Sequence, residues 1–333
     1  MKKYDVYGVG NALIDLVFEV DQSFLDSHGV EKGLMTLVDE DRQKKLIDAI
    51  HIEDHMMTGG GSAANTIVAT SQFGGDCYYS CKVAKDRFGS AFLKDLGENG
   101  VDTKLTSETA PEGVTGKCLV MVTPDAERTM NTFLGITSDL SEAEIDAEAI
   151  KNSTYIYCEG YLVPSESGRN AILEAKKVAE ENGVKTALTF SDPSMVKYFR
   201  NEMVEVVGES VDLLFCNEEE AMLYTEKETI EEAREELKKV AKRFAITQGK
   251  NGAMIFDGDT FIDIEPYPVD AVDSNGAGDM FAGAFLYGIT HGHSFAEAGK
   301  IASLASSKIV SQFGPRLKWH QAKEILNHLF ETP

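Results

Sequence analysis

The run Asp273-Ser274-Asn275-Gly276-Ala277-Gly278-Asp279 passes straight into Met280-Phe281-Ala282-Gly283-Ala284-Phe285, and the architecture of this chain is read outward from it. Gly276, Ala277 and Gly278 are small and flexible, and the segment after them is apolar, rich in small residues and of helical length. The pattern predicts a loop feeding a helix N-terminus. Such a terminus presents unpaired backbone N–H groups and the positive end of the helix dipole, which suits an anion. Asp279 then stands in or near the first turn, where a bound phosphate repels it unless the carboxylate has a task, such as taking a proton from an attacking hydroxyl. The plainer reading is that Asp279 simply favours the helix start, where acids are common, after a glycine loop of an ordinary kind.

Upstream, strands alternate with helices. Tyr4–Val9 reads as a first strand, followed later by strands at Tyr78–Val83, Tyr155–Cys158, Val184–Phe190, Val211–Cys216 and Arg243–Thr247. Helices at Phe88–Gly97, Ser165–Glu181, Met195–Val207 and Thr229–Ala241 separate them, and Ala253–Phe256 pairs with Thr260–Ile264 after the tight turn Gln248-Gly249-Lys250-Asn251-Gly252. Downstream the chain is helical, over Gly276–Gly288, Ser294–Gln312 and Trp319–Phe330. This alternation predicts a doubly wound, mostly parallel sheet flanked by helices, as one α/β domain over residues 1–333. Ligands in such sheets bind beyond the carboxyl ends of the strands, where Asn11, Glu159, Asp192, Asn217 and Thr247 fall. Asn217-Glu218-Glu219-Glu220 opens a helix there; the three acids favour the helix N-terminus, or at a phosphate site order Mg²⁺ through water.

A second glycine run, Gly59-Gly60-Gly61-Ser62-Ala63-Ala64-Asn65, leads into Thr66-Ile67-Val68-Ala69-Thr70. Three consecutive glycines carry a large entropic cost, which makes sense where backbone passes close to a ligand. Ser62 is placed to cap the helix, and Asn65 lies about one turn inside it with its amide free to grip hydroxyls. The bland alternative is a surface loop before a capped helix. Asn11 and Asp15 follow the first strand and face a site there, or serve only as a turn former and a solvated loop acid. Segments of about 11–38 and 105–135 break the alternation with extra short strands, including the hairpin Thr115–Thr123 and Arg128–Phe133, and predict a small sheet standing over the site as a lid. Arg128, at the hairpin's return, either reaches a phosphate or pairs with Asp125 or Glu127.

Acids outnumber bases by 55 to 32, a formal charge of −23, so nucleic acid is not an expected partner. A phosphate ligand must be attracted locally, by backbone N–H groups, a few cations or Mg²⁺. No run is long and apolar enough to span a membrane, and the start Met1-Lys2-Lys3-Tyr4-Asp5 lacks the apolar stretch of a signal peptide. Five dispersed cysteines complete no zinc set and are expected as buried thiols in a reducing cytoplasm. A dinucleotide site is disfavoured: Gly8-x-Gly10 meets Leu13 in place of a third glycine, and no clear strand precedes Gly59-x-Gly61-x-x-Ala64. Gly116-Lys117-Cys118 and Gly249-Lys250-Asn251 are not P-loops, and His291-Gly292-His293 has no third metal ligand.

Taken together, the two glycine runs resemble the paired signatures of the PfkB, or ribokinase-like, carbohydrate kinases, with Asn217-x-x-Glu220 and Thr247-x-Gly249-x-x-Gly252 between them in the family's order. The likeness covers essentially the whole chain. Gly10-Asn11 through Asp15, the glycine–serine–asparagine arrangement and Tyr161 look most like the adenosine-kinase branch of that family. Ser274 stands where threonine is usual, and Tyr161 replaces a familiar phenylalanine, which leaves the base or sugar open. The resemblance implies a ribokinase-like fold and ATP-dependent phosphorylation of a primary hydroxyl, foremost the 5′-hydroxyl of adenosine, as in purine salvage. The alternatives are a kinase of ribose or fructose, and a non-catalytic nucleoside-binding protein. It implies Asp279 as catalytic base and Gly276, Ala277 and Gly278 as the anion hole. Asp15, Gly61 and Asn65 would hold ribose hydroxyls, with Asn11 and Ser62 nearby. Tyr161, Phe133 and Met35 are candidate walls for a base. Asn217 and Glu220 would position Mg²⁺ and phosphate through water, Thr247, Gly249 and Gly252 would border ATP, and Arg128 would reach the phosphates. Asp273 and the backbone of Asn275 resemble ligands of a monovalent cation such as K⁺. A cytoplasmic monomer or homodimer is expected.

Overall fold

The computed structural model describes residues 2–50, 56–125 and 127–330. Its strands are β1 (Tyr4–Val9), β2 (Leu13–Glu19), β3 (Met35–Leu37), β4 (Met56–Gly60), β5 (Cys77–Ser80), β6 (Val101–Asp102) and β7 (Thr115–Val122). They continue as β8 (Arg128–Gly135), β9 (Ser153–Glu159), β10 (Lys185–Thr189), β11 (Leu213–Asn217), β12 (Phe244–Thr247), β13 (Ala253–Phe256) and β14 (Phe261–Ile264). The helices are α1 (Gln22–Ser27), α2 (Glu40–Ile50), α3 (Ser62–Gln72), α4 (Arg87–Glu98), α5 (Ala147–Lys151), α6 (Glu166–Glu181) and α7 (Pro193–Tyr198). Then come α8 (Arg200–Val207), α9 (Glu218–Thr225), α10 (Ile230–Leu237), α11 (Ala277–Thr290), α12 (Phe295–Val310) and α13 (Trp319–Phe330).

The strands form two sheets. The larger runs β14-β13-β12-β11-β10-β9-β1-β5-β6, parallel except where β13 pairs antiparallel with β12 and β14. Its strands are short apolar runs, as burial on both faces requires. Val6, Tyr155, Ala187 and Leu213 point into a layer with α3, α11 and α12, whereas Tyr7, Ile156, Leu188 and Leu214 point into a layer with α6 and α9. Side-chain caps start many of the helices: Asp86, Ser165, Asp192, Asn217, Thr229 and Ser294 each accept a first-turn backbone N–H. The helix expected over Met195–Val207 is two helices, because Phe199 (φ −128°, ψ 36°) leaves the helical region and ends one as it begins the next.

The smaller sheet has the order β3-β8-β7-β2-β4. The 11–38 and 105–135 segments supply four of its strands. The fifth, β4, runs antiparallel to β2 and leads into α3, so the first two of the three glycines end a strand. The turn expected at Pro124–Glu127 includes Ala126, which lies outside the described residues. One row across this sheet reads Leu37, Thr132, Cys118, Asp15, Thr58. The opposite face carries Ile14, Leu16, Phe18, Leu119 and Met121, packed with Leu25 and Leu46. The period-two pleat therefore buries an apolar face and leaves the Asp15 face toward the cleft.

The two glycine runs meet because α3 and α11 pack unusually closely. A Cβ on Gly283 would overlap the Thr66 carbonyl and come within 2.6 Å of the Ala69 Cβ, and Thr70 Oγ1 donates to the Gly283 carbonyl at 3.0 Å. Gly283→Ala is expected to lower the unfolding free energy by about 1–3 kcal/mol, as overpacking in a tight core does. Urea unfolding measures it, and an unchanged midpoint would mean that the two helices have room to part.

Candidate active site

Each of the three glycines before α3 leaves room for a different neighbour. A Cβ on Gly59 would overlap the Asp95 carboxylate and lie 3.3 Å from Arg316 Nη1; one on Gly60 would overlap the Asp15 carboxylate. Gly61 has φ +104° and lies against the Asn11 carbonyl, a conformation and a contact that only glycine allows. The same economy operates at the other loop. Gly276 (φ +76°) caps α11 and packs on Pro315, which sets the 312–316 segment behind the loop.

Asp279 is the third residue of α11. Ser62 Oγ donates to its Oδ1 at 2.6 Å and Asn65 Nδ2 donates to its Oδ2 at 3.1 Å. Ser62 therefore binds the carboxylate rather than capping its own helix, where Gly61 is the N-cap. Asn65 Oδ1 in turn accepts from Arg316 Nε at 2.9 Å, and the Arg316 guanidinium also pairs with Asp95 of α4. Burial pushes the Asp279 carboxyl up to about 6, against the pull of Ser62, Asn65 and Arg316. Asp15 is buried within β2 rather than solvated in a loop, and burial raises it also to about 6 against Arg316 and Arg128.

Glu159, at the carboxyl end of β9, is wholly buried and ties these parts together. Its Oε1 accepts from Asn11 N at 2.6 Å and Asn11 Nδ2 at 2.8 Å, and its Oε2 from Ala63 N at 2.7 Å, at the start of α3. Burial nevertheless lifts its carboxyl to about 7. Asn11, expected beside the substrate hydroxyls, is thus committed to Glu159, with its carbonyl taken by the Tyr79 hydroxyl at 2.8 Å.

The first intrahelical bond of α11 is Met280 N to Gly276 O at 2.8 Å, and Ala277 N is drawn back to Ser274 O at 3.3 Å. Gly278 and Asp279 therefore hold the first-turn N–H groups best placed for an anion, and a Cβ on Gly278 would meet open space. Ala277 and Gly278 border a cavity of about 490 Å³ whose far wall includes Thr247, Gly249 and Gly252, with apolar cover from Tyr267 and Phe281. Gly252 (φ +91°) lies against the Ile264 carbonyl. Asn217 sits beside Thr247 in register. Asn217 and Glu220 form a reciprocal cap: Oδ1 accepts Glu220 N at 2.8 Å, while the Glu220 carboxylate accepts Asn217 N at 2.9 Å and Nδ2 at 3.0 Å. Burial lifts Glu220 to about 7.

Arg128 pairs with neither Asp125 nor Glu127. It reaches Asp273 at 2.8 Å, while Asp125 takes Lys32 at 2.6 Å. The Asp273 carboxylate also accepts Asn275 N and Gly314 N, both at 3.1 Å. Asp273 Oδ1 thus takes one N–H and Oδ2 takes two. Among the described residues no group of three or more His, Cys, Asp and Glu side chains could hold a metal ion. Tyr161 lies in a 3-10 turn (Gly160–Leu162) whose Gly160 N–H donates to Ser191 Oγ at 2.8 Å. Its hydroxyl is raised by burial and by Asp192, Asp279, Glu159 and Glu220, which places it among the acids of the sheet edge. Phe133 is not brought there: it pairs with Lys117 on the face of the small sheet opposite Asp15. Arg316 is the site residue that sequence reasoning missed, since nothing in Gly314-Pro315-Arg316 marks a partner at residue 65.

The description "pfkB family carbohydrate kinase" belongs to the family model that matches residues 36–322. Adenosine kinase from Dictyostelium discoideum is 26% identical, over 94% of this chain and 96% of its own length. The crystal structure of adenosine kinase from Sinorhizobium meliloti is 34% identical, with a TM-score of 0.86 over 97% of this chain and 99% of that one. A "probable sugar kinase protein" from Rhizobium etli CFN 42 is 31% identical, with a TM-score of 0.89 over 99% and 100%.

Asp15, Glu159, Glu220 and Asp279 all have carboxyls raised above their unfolded values, so the folded state binds their protons more tightly. The stability this gives is complete below the unfolded values and is lost as pH rises through about 6 to 7. The melting temperature of the ligand-free protein is expected to rise as pH is lowered from about 8 to about 5.5, and Asp279→Asn to flatten the profile and melt higher at the alkaline end. A variant profile parallel to the parent's would show that Asp279 is well solvated.

Proposed function

We propose, from the premise that the chain belongs to the pfkB family of carbohydrate kinases, that it transfers the γ-phosphoryl group of ATP to the 5′-hydroxyl of a nucleoside, adenosine foremost. Members of this family are phosphotransferases acting on hydroxyl groups of sugars and nucleosides, and this chain is a sugar or nucleoside kinase. The observation that carries the finer reading is the position of Asp279. It is held by Ser62 and Asn65, and the residues just before it, Ala277 and Gly278, line the cavity of about 490 Å³. An acceptor hydroxyl on the α3 side and a triphosphate on the α11 side meet at that carboxylate.

In this reading Asp279 takes the proton of the attacking hydroxyl as its oxygen bonds to the γ-phosphorus and the bond to the β-phosphate oxygen breaks, releasing ADP. The Gly278 and Asp279 N–H groups and the α11 dipole stabilise charge spread over the phosphoryl oxygens. Thr247, Gly249 and Gly252 border the nucleotide. Glu220 and Asn217 would hold the water shell of Mg²⁺, which neutralises the phosphates when bound. Each Glu220 oxygen accepts a single N–H and keeps a free lone pair, so the pair fits that role. Asp15 and Asn65 grip the sugar hydroxyls, and Tyr161 borders them.

A nucleoside is favoured over a plain sugar by the Asp15 face of the small sheet. Met35 and Leu37 stand on it 43% and 60% exposed, apolar surface that suits a base. The similarity to two adenosine kinases supports the same choice, and that to a sugar kinase keeps ribose and fructose as the second reading. An ADP-release assay across adenosine, inosine, guanosine, ribose and fructose decides it, and turnover only with the free sugars sinks the nucleoside reading.

Asp279→Asn should bind nucleoside as the parent does, measured by calorimetry, yet lose about 10²–10⁴ in kcat. Near-parental turnover would remove Asp279 from the role of base. Because the base must be ionised, kcat/KM should fall as pH drops below about 6. Asn65→Ala should raise KM for the acceptor more than for ATP; the reverse order would place the acceptor elsewhere.

A further inference from the structure

Asn65 stands between two partners of opposite kinds. Arg316 Nε donates to its Oδ1 at 2.9 Å, and its Nδ2 donates to Asp279 Oδ2 at 3.1 Å. A guanidinium only donates and a carboxylate only accepts, so an amide between them has one orientation that satisfies both. Turned over, it would set donor against donor at Arg316 and oxygen against oxygen at Asp279. Asn65 is buried, which makes both mismatches costly. The turned amide has a chemical consequence as well. Its oxygen would accept from a protonated Asp279 and so favour the form that takes no proton. Asp15 of β2, Glu159 and Tyr157 of β9 and Tyr161 also feel that carboxylate, and none of them brings a positive charge to it.

Arg316 is itself fixed. Its Nη1 pairs with Asp95 of α4, and glycine at position 59 leaves room for that contact. The residue before it, Pro315, packs on Gly276, and the carbonyl of the residue after it, Leu317, accepts from Gln72 Nε2 at 2.7 Å. A guanidinium held at three points in this way sets the amide rather than following it. We propose that Arg316 is a positioning residue for the phosphoryl transfer: it fixes the Asn65 amide with its nitrogen on Asp279 and so keeps the base ready to accept a proton. In this role Arg316 acts through Asn65 and needs no contact with either substrate. The proposal rests on the kinase reading for the reaction, but not for the orientation of the amide.

The experiment joins nuclear magnetic resonance of the ligand-free protein to a double-mutant cycle. The side-chain amide of Asn65, assigned by its disappearance in Asn65→Ala, should show one proton shifted downfield by the carboxylate, and Arg316→Met should abolish that shift. With ATP and adenosine, or ribose if that proves to be the acceptor, Arg316→Met should lower kcat/KM for the acceptor by about 10²-fold while changing KM for ATP by no more than about threefold. In an Asn65→Ala background the same substitution should change kcat/KM by no more than about threefold, because the group it acts through is gone. Arg316→Lys keeps the charge beside Asp95 but not the fork, and should show the same dependence on residue 65, which covers the case of a poorly folded methionine variant. A downfield amide proton that survives Arg316→Met, or a loss of the same size with and without the Asn65 side chain, would make Arg316 a structural brace only and overturn the proposal. An amide that responds as expected in a protein that turns over neither acceptor would instead count against the kinase reading alone.

Discussion

Everything at the site depends on how closely α3 approaches α11. The absence of a side chain at Gly283 lets the Thr66 carbonyl and Ala69 press against it, and the Thr70 hydroxyl fastens the contact. Residues 62, 65 and 279 are then close enough for two hydrogen bonds on one carboxylate, across more than two hundred residues of chain. Helices that pack through glycine bring backbone to backbone, and the positions one turn from their N-termini come along without further adjustment.

Around that contact the protein gathers more buried carboxylates than stability alone would favour. Asp15, Asp279 and Glu159 are each held against desolvation by neighbours that only partly compensate it. Glu159 is the best supported, with three N–H donors, and it joins the end of β1 to the start of α3. Active sites use concentrations of perturbed acids of this kind, and so do buried structural networks.

Much of this was legible in the sequence, for definite reasons. The strand–helix alternation is a local pattern, and so are the two glycine runs. The carboxyl-edge positions of Asn11, Glu159, Asp192, Asn217 and Thr247 follow once the alternation is read. What escaped was tertiary. The strand β4 before the glycines is short and includes two of them, so no apolar alternation announced it. Phe133 passed for a cleft residue because a one-residue step along β8 decides its face. Arg128 was read as reaching a phosphate or pairing with Asp125 or Glu127, whereas its ion-pair partner Asp273 comes from the far end of the chain. Arg316 carries no spacing signal at all, since its place there depends on Asn65 and Asp95 meeting it in space.

The join between β4 and α3 has a mechanical meaning. Only Gly61 separates the last residue of the strand from the first of the helix, and β4 is hydrogen-bonded along β2, the strand that holds Asp15. The small sheet is therefore not a flap on a free hinge. Any tilt that widened the mouth of the cleft would drag the start of α3 and shift Asp15 against Asn65, so opening the cleft and parting those two side chains are one movement.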